Sequence, residues 1–249
     1  MHLLVPGSAV DDRTLEELYA YPSGLTTPYV QVNFVASADG AATVSGRSRG
    51  LSSPADKKVF ALGRDLADVV LVGAGTATAE GYGPVKHTEV RAERRSRLGL
   101  PELPPIAVVT GRGSIPPSSP LVTDASVPTI MLTSEASPEV WRKEITDAGG
   151  EVVVAGEDRV DASLVLSALA ERGLLRVCCE GGPTLFADLV ADGLVDQFCL
   201  TVSPMLTGAG AVRVTDGRPS SVPMDLSLES VLSDEGFLML RYRRAAPPG

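Results

Sequence analysis

Short apolar runs alternate along the chain with amphipathic stretches, and the two periodicities divide it into elements. Tyr29-Val30-Gln31-Val32-Asn33-Phe34-Val35-Ala36 predicts a first core strand. Asp68-Val69-Val70-Leu71-Val72-Gly73 is unbroken and rich in β-branched residues, as a strand buried on both faces is. Similar runs at Ile106–Val109, Thr129–Leu132, Glu151–Val154 and Val177–Glu180 predict further strands. Val59, Leu62 and Leu66 fall at helical spacing behind Ser52-Ser53-Pro54-Ala55-Asp56. That opening has a Ser cap, Pro in the first turn and an acid suited to the helix dipole. Helices are also predicted from the Gly73 turn and over Pro138–Ala148, Ala162–Glu171 and Pro183–Ala191, with a short one from Asp12 to Leu18.

The ending breaks this alternation. Gln197–Val202 and Phe237–Tyr242 read as strands with no long helix between them, and 207–223 reads as a Gly-, Pro- and Ser-bearing loop. Residues 86–104 are charged and Pro-rich, which predicts an exposed excursion with a short helix. The expected architecture is an α/β three-layer sandwich, with a mostly parallel central sheet and antiparallel C-terminal strands. An N-terminal segment (1–28), one domain (29–244) and a flexible tail (245–249) are expected.

Composition narrows the class. Of the 249 residues, 44% are hydrophobic, enough for a sizeable core. The net charge of −9 speaks against nonspecific binding to nucleic acid or anionic membrane. No apolar run approaches the ~18 residues of a membrane span, and the first residues lack a basic segment followed by an apolar one. Cys178, Cys179 and Cys199 lie in strand-like runs, which predicts buried thiols in a reducing cytoplasm. With no C-x-x-C pair, and His2 and His87 in polar surroundings, neither a zinc site nor a Ser–His–Asp triad is expected.

Three glycine-bearing turns follow predicted strands: Asp39-Gly40, Gly73-Ala74-Gly75-Thr76 and Glu180-Gly181-Gly182-Pro183-Thr184. The last opens a helix whose first N–H groups are free, next to a loop without side chains. Free N–H groups and the helix dipole both favour a phosphate. An ordinary strand–turn–helix connection has the same pattern. Ligands of open α/β sheets bind beyond the carboxyl ends of the strands, so three such turns on one rim favour a nucleotide. Neither G-x-G-x-x-G nor a Walker A loop is present. Arg112, just past another strand, is placed to grip the ribose 2′-phosphate of NADPH, or is a solvated loop arginine. Asp56, bordering the same rim, either holds a nitrogen heterocycle and passes a proton, or only completes a helix start.

Taken together these motifs resemble those of a known family. Asn33-Phe34-Val35-Ala36-Ser37-Ala38-Asp39-Gly40 is similar to its first-strand S-x-D-G signature, and the segments Arg64–Thr76 and Glu180–Leu185 match its next two. The family is the riboflavin-biosynthesis pyrimidine reductase, or RibD C-terminal domain, family. The resemblance spans roughly residues 28–244. It implies the dihydrofolate reductase fold, NADPH as cofactor, and reduction of the ribosylamino group of 5-amino-6-(5-phosphoribosylamino)uracil to a ribitylamino group. It also implies a homodimer. Bifunctional members carry a zinc deaminase domain, which has no counterpart in the cysteines and histidines here.

Carried over by position, Gly73, Gly75, Thr76 and Glu80 meet the cofactor, and Gly181, Gly182, Pro183, Thr184 and Leu185 hold its pyrophosphate. Asp39, Ser48, Arg64 and Glu180 line the substrate pocket. The chain departs from the family after the Thr76 turn. An acid-Asp-Pro stretch followed by a phosphate-binding arginine is replaced by Glu80-Gly81-Tyr82-Gly83-Pro84-Val85-Lys86-His87, with no arginine before Arg91. A tryptophan often found after the Ser48 position is Gly50. Asp56 sits where dihydrofolate reductases carry their pocket acid, so dihydrofolate or pterin reduction is an alternative on the same fold. A non-catalytic NADP-binding protein is the other.

Overall fold

The run Val69–Gly73 dictates the layers around it. Val69 and Leu71 belong to one buried apolar cluster and Val70 and Val72 to another. A strand apolar on both faces needs a helical layer on each. The structure, a computed structural model, describes residue 7, residues 9–220 and residues 223–245. The start of the N-terminal segment, with His2, and the tail from 246 lie outside the described residues.

In chain order the strands are β1 (Tyr29–Ser37), β2 (Val69–Gly73), β3 (Ile106–Val109), β4 (Ile130–Thr133), β5 (Glu151–Val154), β6 (Arg176–Cys179), β7 (Gln197–Ser203), β8 (Leu226–Asp234) and β9 (Phe237–Arg244). The helices are α1 (Asp12–Tyr19), α2 (Pro54–Leu66), α3 (Ala74–Glu80), α4 (Glu89–Arg97), α5 (Pro120–Thr123), α6 (Glu139–Asp147), α7 (Ala162–Ala170) and α8 (Pro183–Ala191). The sheet order is β5-β4-β3-β2-β6-β1-β7-β9-β8. Strands β1 to β7 run parallel, β9 is antiparallel to β7, and β8 to β9. The mostly parallel three-layer architecture with antiparallel C-terminal strands is therefore the observed one.

Helices α7 and α8 bury Val165, Leu169, Leu185 and Leu189 on one face of the sheet. On the other, α3, α5 and α6 contribute Ala77, Leu121, Trp141 and Ile145. Helix α2 approaches that second face at Gly63, where an added Cβ would meet Cys178 Sγ at 3.2 Å. A side chain here would crowd the thiol, so glycine lets the helix lie close to the sheet. The three cysteines are buried and free.

Two features depart from the sequence reading. Strand β8 lies within a region with no predicted strand. Its alternation is diluted by serines, and pairing with β9 supplies what its own apolar content does not. The signal was Glu235-Gly236, a two-residue hairpin turn with φ +46° and +85°. The 86–104 excursion is not simply exposed. Arg95 of α4 is fully buried and donates from Nη1 to the carbonyls of Arg64 (3.3 Å), Asp65 (3.1 Å) and Ala67 (2.6 Å). It thus satisfies the C-terminal carbonyls of α2, which the helix itself leaves unpaired. Asp65 in turn pairs with Arg91 and Arg94.

Candidate functional site

The parallel strands deliver three turns to one rim. Gly73 N–H donates to Gly181 O at 2.7 Å and Glu180 N–H to Leu71 O at 2.9 Å, so the turns after β2 and β6 are tied together. Gly182 caps α8 and Pro183 opens it. Residue size is fixed here by crowding. A Cβ on Gly181, whose φ is +80°, would lie 2.5 Å from Phe34 Cζ, and one on Gly182 would collide with Thr76 Oγ1. The Gly181–Gly182 peptide is cis.

Two cavities open on this rim. The first, about 340 Å³, is lined by Asn33, Phe34, Ser48, Asp56, Arg64, Thr76, Glu80, Tyr82, Glu180, Gly182 and Pro183, among others. The second, about 460 Å³, is lined by Gly73, Gly75, Gly111, Arg112, Arg159, Thr184 and Leu185, among others. Gly75 lines both, and the first turn of α8 contributes Pro183 to one and Thr184 to the other. A Cβ on Gly75 would meet nothing within 4 Å, so the junction is open backbone.

Charged groups concentrate in the first cavity. Glu180, almost fully buried, accepts from Arg64 Nε at 2.6 Å and Nη2 at 2.7 Å, and from the Tyr82 hydroxyl at 2.7 Å. Arg64 also lies over the Phe60 ring at 4.7 Å and the Tyr82 ring at 5.2 Å. Burial works to lower the Arg64 pKa. The adjacent Glu180 carboxylate reverses this and holds it above its ordinary value. Burial, then the Glu180 charge, pushes the Tyr82 hydroxyl well up, so it stays protonated and donates. Asp56, also buried, accepts from Ser52 Oγ at 2.5 Å, and its N–H donates to Ser53 Oγ at 3.1 Å. Glu80 accepts from Ser48 N–H at 2.6 Å, tying α3 to the 3₁₀ turn Ser48–Leu51.

Ser48, Asp56, Arg64, Thr76, Glu80 and Glu180 thus share one cavity. Gly73, Arg112, Thr184 and Leu185 line the other. Asp39 and Gly181 line neither. Gly181 is packed behind Phe34. Asp39 clasps the chain after β7, accepting from Thr207 N–H at 3.0 Å and Gly208 N–H at 2.8 Å. The sequence reading missed Tyr82 as the partner of Glu180, and Arg159. Arg159 follows β5 as Arg112 follows β3, and that position was its signal. Among the described residues there is no group of three or more His, Cys, Asp or Glu able to hold a metal ion.

The sequence profile of the RibD C-terminal domain family matches residues 28–236. The chain belongs to the RibD C-terminal domain family. Among its relatives is the 2,5-diamino-6-ribosylamino-4(3H)-pyrimidinone 5′-phosphate reductase of Archaeoglobus fulgidus, 33% identical over 77% of this chain and 87% of that protein. The protein of the same name from Methanothermobacter thermautotrophicus is 31% identical over 77% of this chain and 85% of the relative. Among solved structures, a pyrimidine reductase-like protein from Corynebacterium diphtheriae superposes with a TM-score of 0.83 at 27% identity, covering 94% of this chain and 99% of that one.

Proposed function

We propose that the chain is an NADPH-dependent reductase of a phosphorylated ribosylamino-pyrimidine, the substrate type for which its relatives are named. The observation that carries this reading is the continuous rim, with open backbone at Gly75 between a glycine-lined cavity and a charged one. The residues present fit a dinucleotide. The first turn of α8 offers N–H groups for a pyrophosphate. Arg112, with Arg159 in the same cavity, offers guanidinium groups for the 2′-phosphate that separates NADPH from NADH. When bound, the cofactor supplies a hydride.

The residues around the first cavity position the pyrimidine and exclude water. Reduction adds a hydride and a proton across the C=N bond of the ring-opened ribosylamino group, giving a ribitylamino group. Arg64, Glu180 and Tyr82 form a fixed polar wall whose hydrogen bonds already exist, so little reorganisation is needed as charge moves. Asp56 is the candidate acid for the proton, held in place by Ser52 and the first turn of α2.

Two supporting features bear on assembly and location. The face of β7, β9 and β8 opposite α1 and α2 presents exposed Leu228 and Leu238, which suits a homodimer. No helix among the described residues is long and apolar enough to cross a membrane, and the free buried thiols suit a reducing cytoplasm.

The test is loss of NADPH absorbance with the 2,5-diamino-pyrimidinone and the 5-amino-uracil substrates in parallel, and with NADH as control. Burial of Asp56 in the cavity favours one second reading, dihydrofolate or pterin reduction. There, Asp56→Asn should abolish dihydrofolate turnover, and an undiminished rate rules that reading out. Tight NADPH binding with no turnover of any of these substrates would favour a non-catalytic role.

A further inference from the structure

The cations of the substrate cavity are unevenly committed. Arg49, Lys57 and Arg64 line it, against the acids Asp56, Glu80 and Glu180. Arg64 is taken up by Glu180 in a two-pronged pair, with their side chains only 17% and 1% exposed. Arg49 and Lys57 make no ion pair or side-chain hydrogen bond among the described residues. Both are exposed, whereas Asp56 and Glu180 are buried. The cavity therefore has an acidic interior and a cationic mouth on the α2 side.

The opposite flank offers no such group. Lys86 does not line the cavity, and its carbonyl accepts from Arg91 Nη1. His87 is held by Glu102 at 2.6 Å. Arg91 is held by Asp65 at 2.6 Å, against the C-terminal end of α2. Each basic group that follows the Thr76 turn closely in sequence is thus spent elsewhere or outside the cavity.

We infer that Arg49 and Lys57 form the subsite for the substrate's terminal phosphate, on the α2 flank and not on the segment after α3. This rests on the proposed reduction of a phosphorylated ribosylamino-pyrimidine. A guanidinium matches two phosphate oxygens at once and an ammonium adds a point charge, so the pair suits a phosphate monoester dianion. It also sets polarity. The phosphate sits at the mouth, and the heterocycle, with its N–H donors, goes inward to Asp56 and the Arg64–Glu180–Tyr82 wall.

The test is calorimetric titration of the full chain with ribose 5-phosphate, with ribose as control, both with NADPH at saturation and without it. Arg49→Gln and Lys57→Gln should each weaken ribose 5-phosphate binding by about tenfold, the range for loss of one charge-assisted contact. The double variant should lose more, and Lys86→Gln should bind as the wild type does. Both substituted residues are exposed, so folding is not at issue, and a thermal melt checks it. Unchanged affinity in the double variant, loss in Lys86→Gln, or no binding by the wild type overturns the inference. Catalysis gives an independent arm. The double variant should raise KM for the phosphorylated pyrimidine with kcat nearly unchanged, and an unchanged KM counts against the subsite. A wild type that binds ribose 5-phosphate through Arg49 and Lys57 yet reduces no pyrimidine would sink the proposed function and leave the subsite standing.

Discussion

The two cavities on the rim are built by different means. The second is built around backbone turns at Gly73, Gly75, Gly111 and the start of α8, with charged side chains only at Arg112, Arg159 and Asp188. The first is made of side chains brought from α2, α3, β1 and the loops after β1 and β6. A dinucleotide can be held by geometry that a parallel sheet generates at its strand ends. A particular heterocycle needs charges placed by tertiary packing. The first surface should therefore fail through stability and turnover together, the second through cofactor affinity alone.

The largest effect tests the charged side. Arg64→Met leaves Glu180 buried without its bidentate partner. Breaking such a pair costs about 3–5 kcal/mol, so a denaturant melt should show that loss and turnover should collapse. A variant melting like the wild type would show that the pair contributes little to holding the wall. On the backbone side, Gly75→Leu starts from a Cβ that meets nothing within 4 Å and improves helix propensity. Its stability should hold while NADPH affinity falls by tenfold or more, on the order of 1.4 kcal/mol or greater. Unchanged affinity would show that the dinucleotide does not cross this junction.

Sequence legibility divides along the same line. The turns at Gly73 and Gly181-Gly182, the Ser53 cap and Pro183 were readable because each is set by residues within a few positions. The resemblance placed Arg64 in the pocket, but its buried pairing with Glu180 was not readable, since that depends on Arg95 of α4 satisfying the end of α2 and on the turn after β6, far along the chain. Tyr82 stood in a segment read only as a departure from the family, and its hydroxyl partner lies far along the chain. Strand β8 was hidden because its pairing with β9, more than its composition, makes it a strand.

Smaller effects sharpen the contrast. Arg112→Gln should cut the preference for NADPH over NADH by about ten- to hundredfold, as loss of a charge-assisted phosphate contact does, with little change in melting. Equal preference in variant and wild type would move that role to Arg159. Asp39, outside both cavities, should matter least. Hydrogen bonds from Ser37, Gly208 and Thr207 hold its carboxyl below the ordinary 3.8. With a depressed folded pKa, its clasp is fully present above about pH 3.8 and is lost as pH falls through the lower folded value. Asp39→Asn should flatten this acid dependence in melts and leave NADPH affinity unchanged. A fall in that affinity would bring Asp39 into the site.

The most direct test of the central claim is to incubate the wild-type chain with NADPH and 2,5-diamino-6-ribosylamino-4(3H)-pyrimidinone 5′-phosphate, following cofactor oxidation and product mass together. The expected result is one NADPH consumed for each product molecule, which is two hydrogen atoms heavier and carries a ribityl chain. NADPH that binds but is never oxidised by this pyrimidine, or is oxidised only when dihydrofolate is supplied, would contradict it.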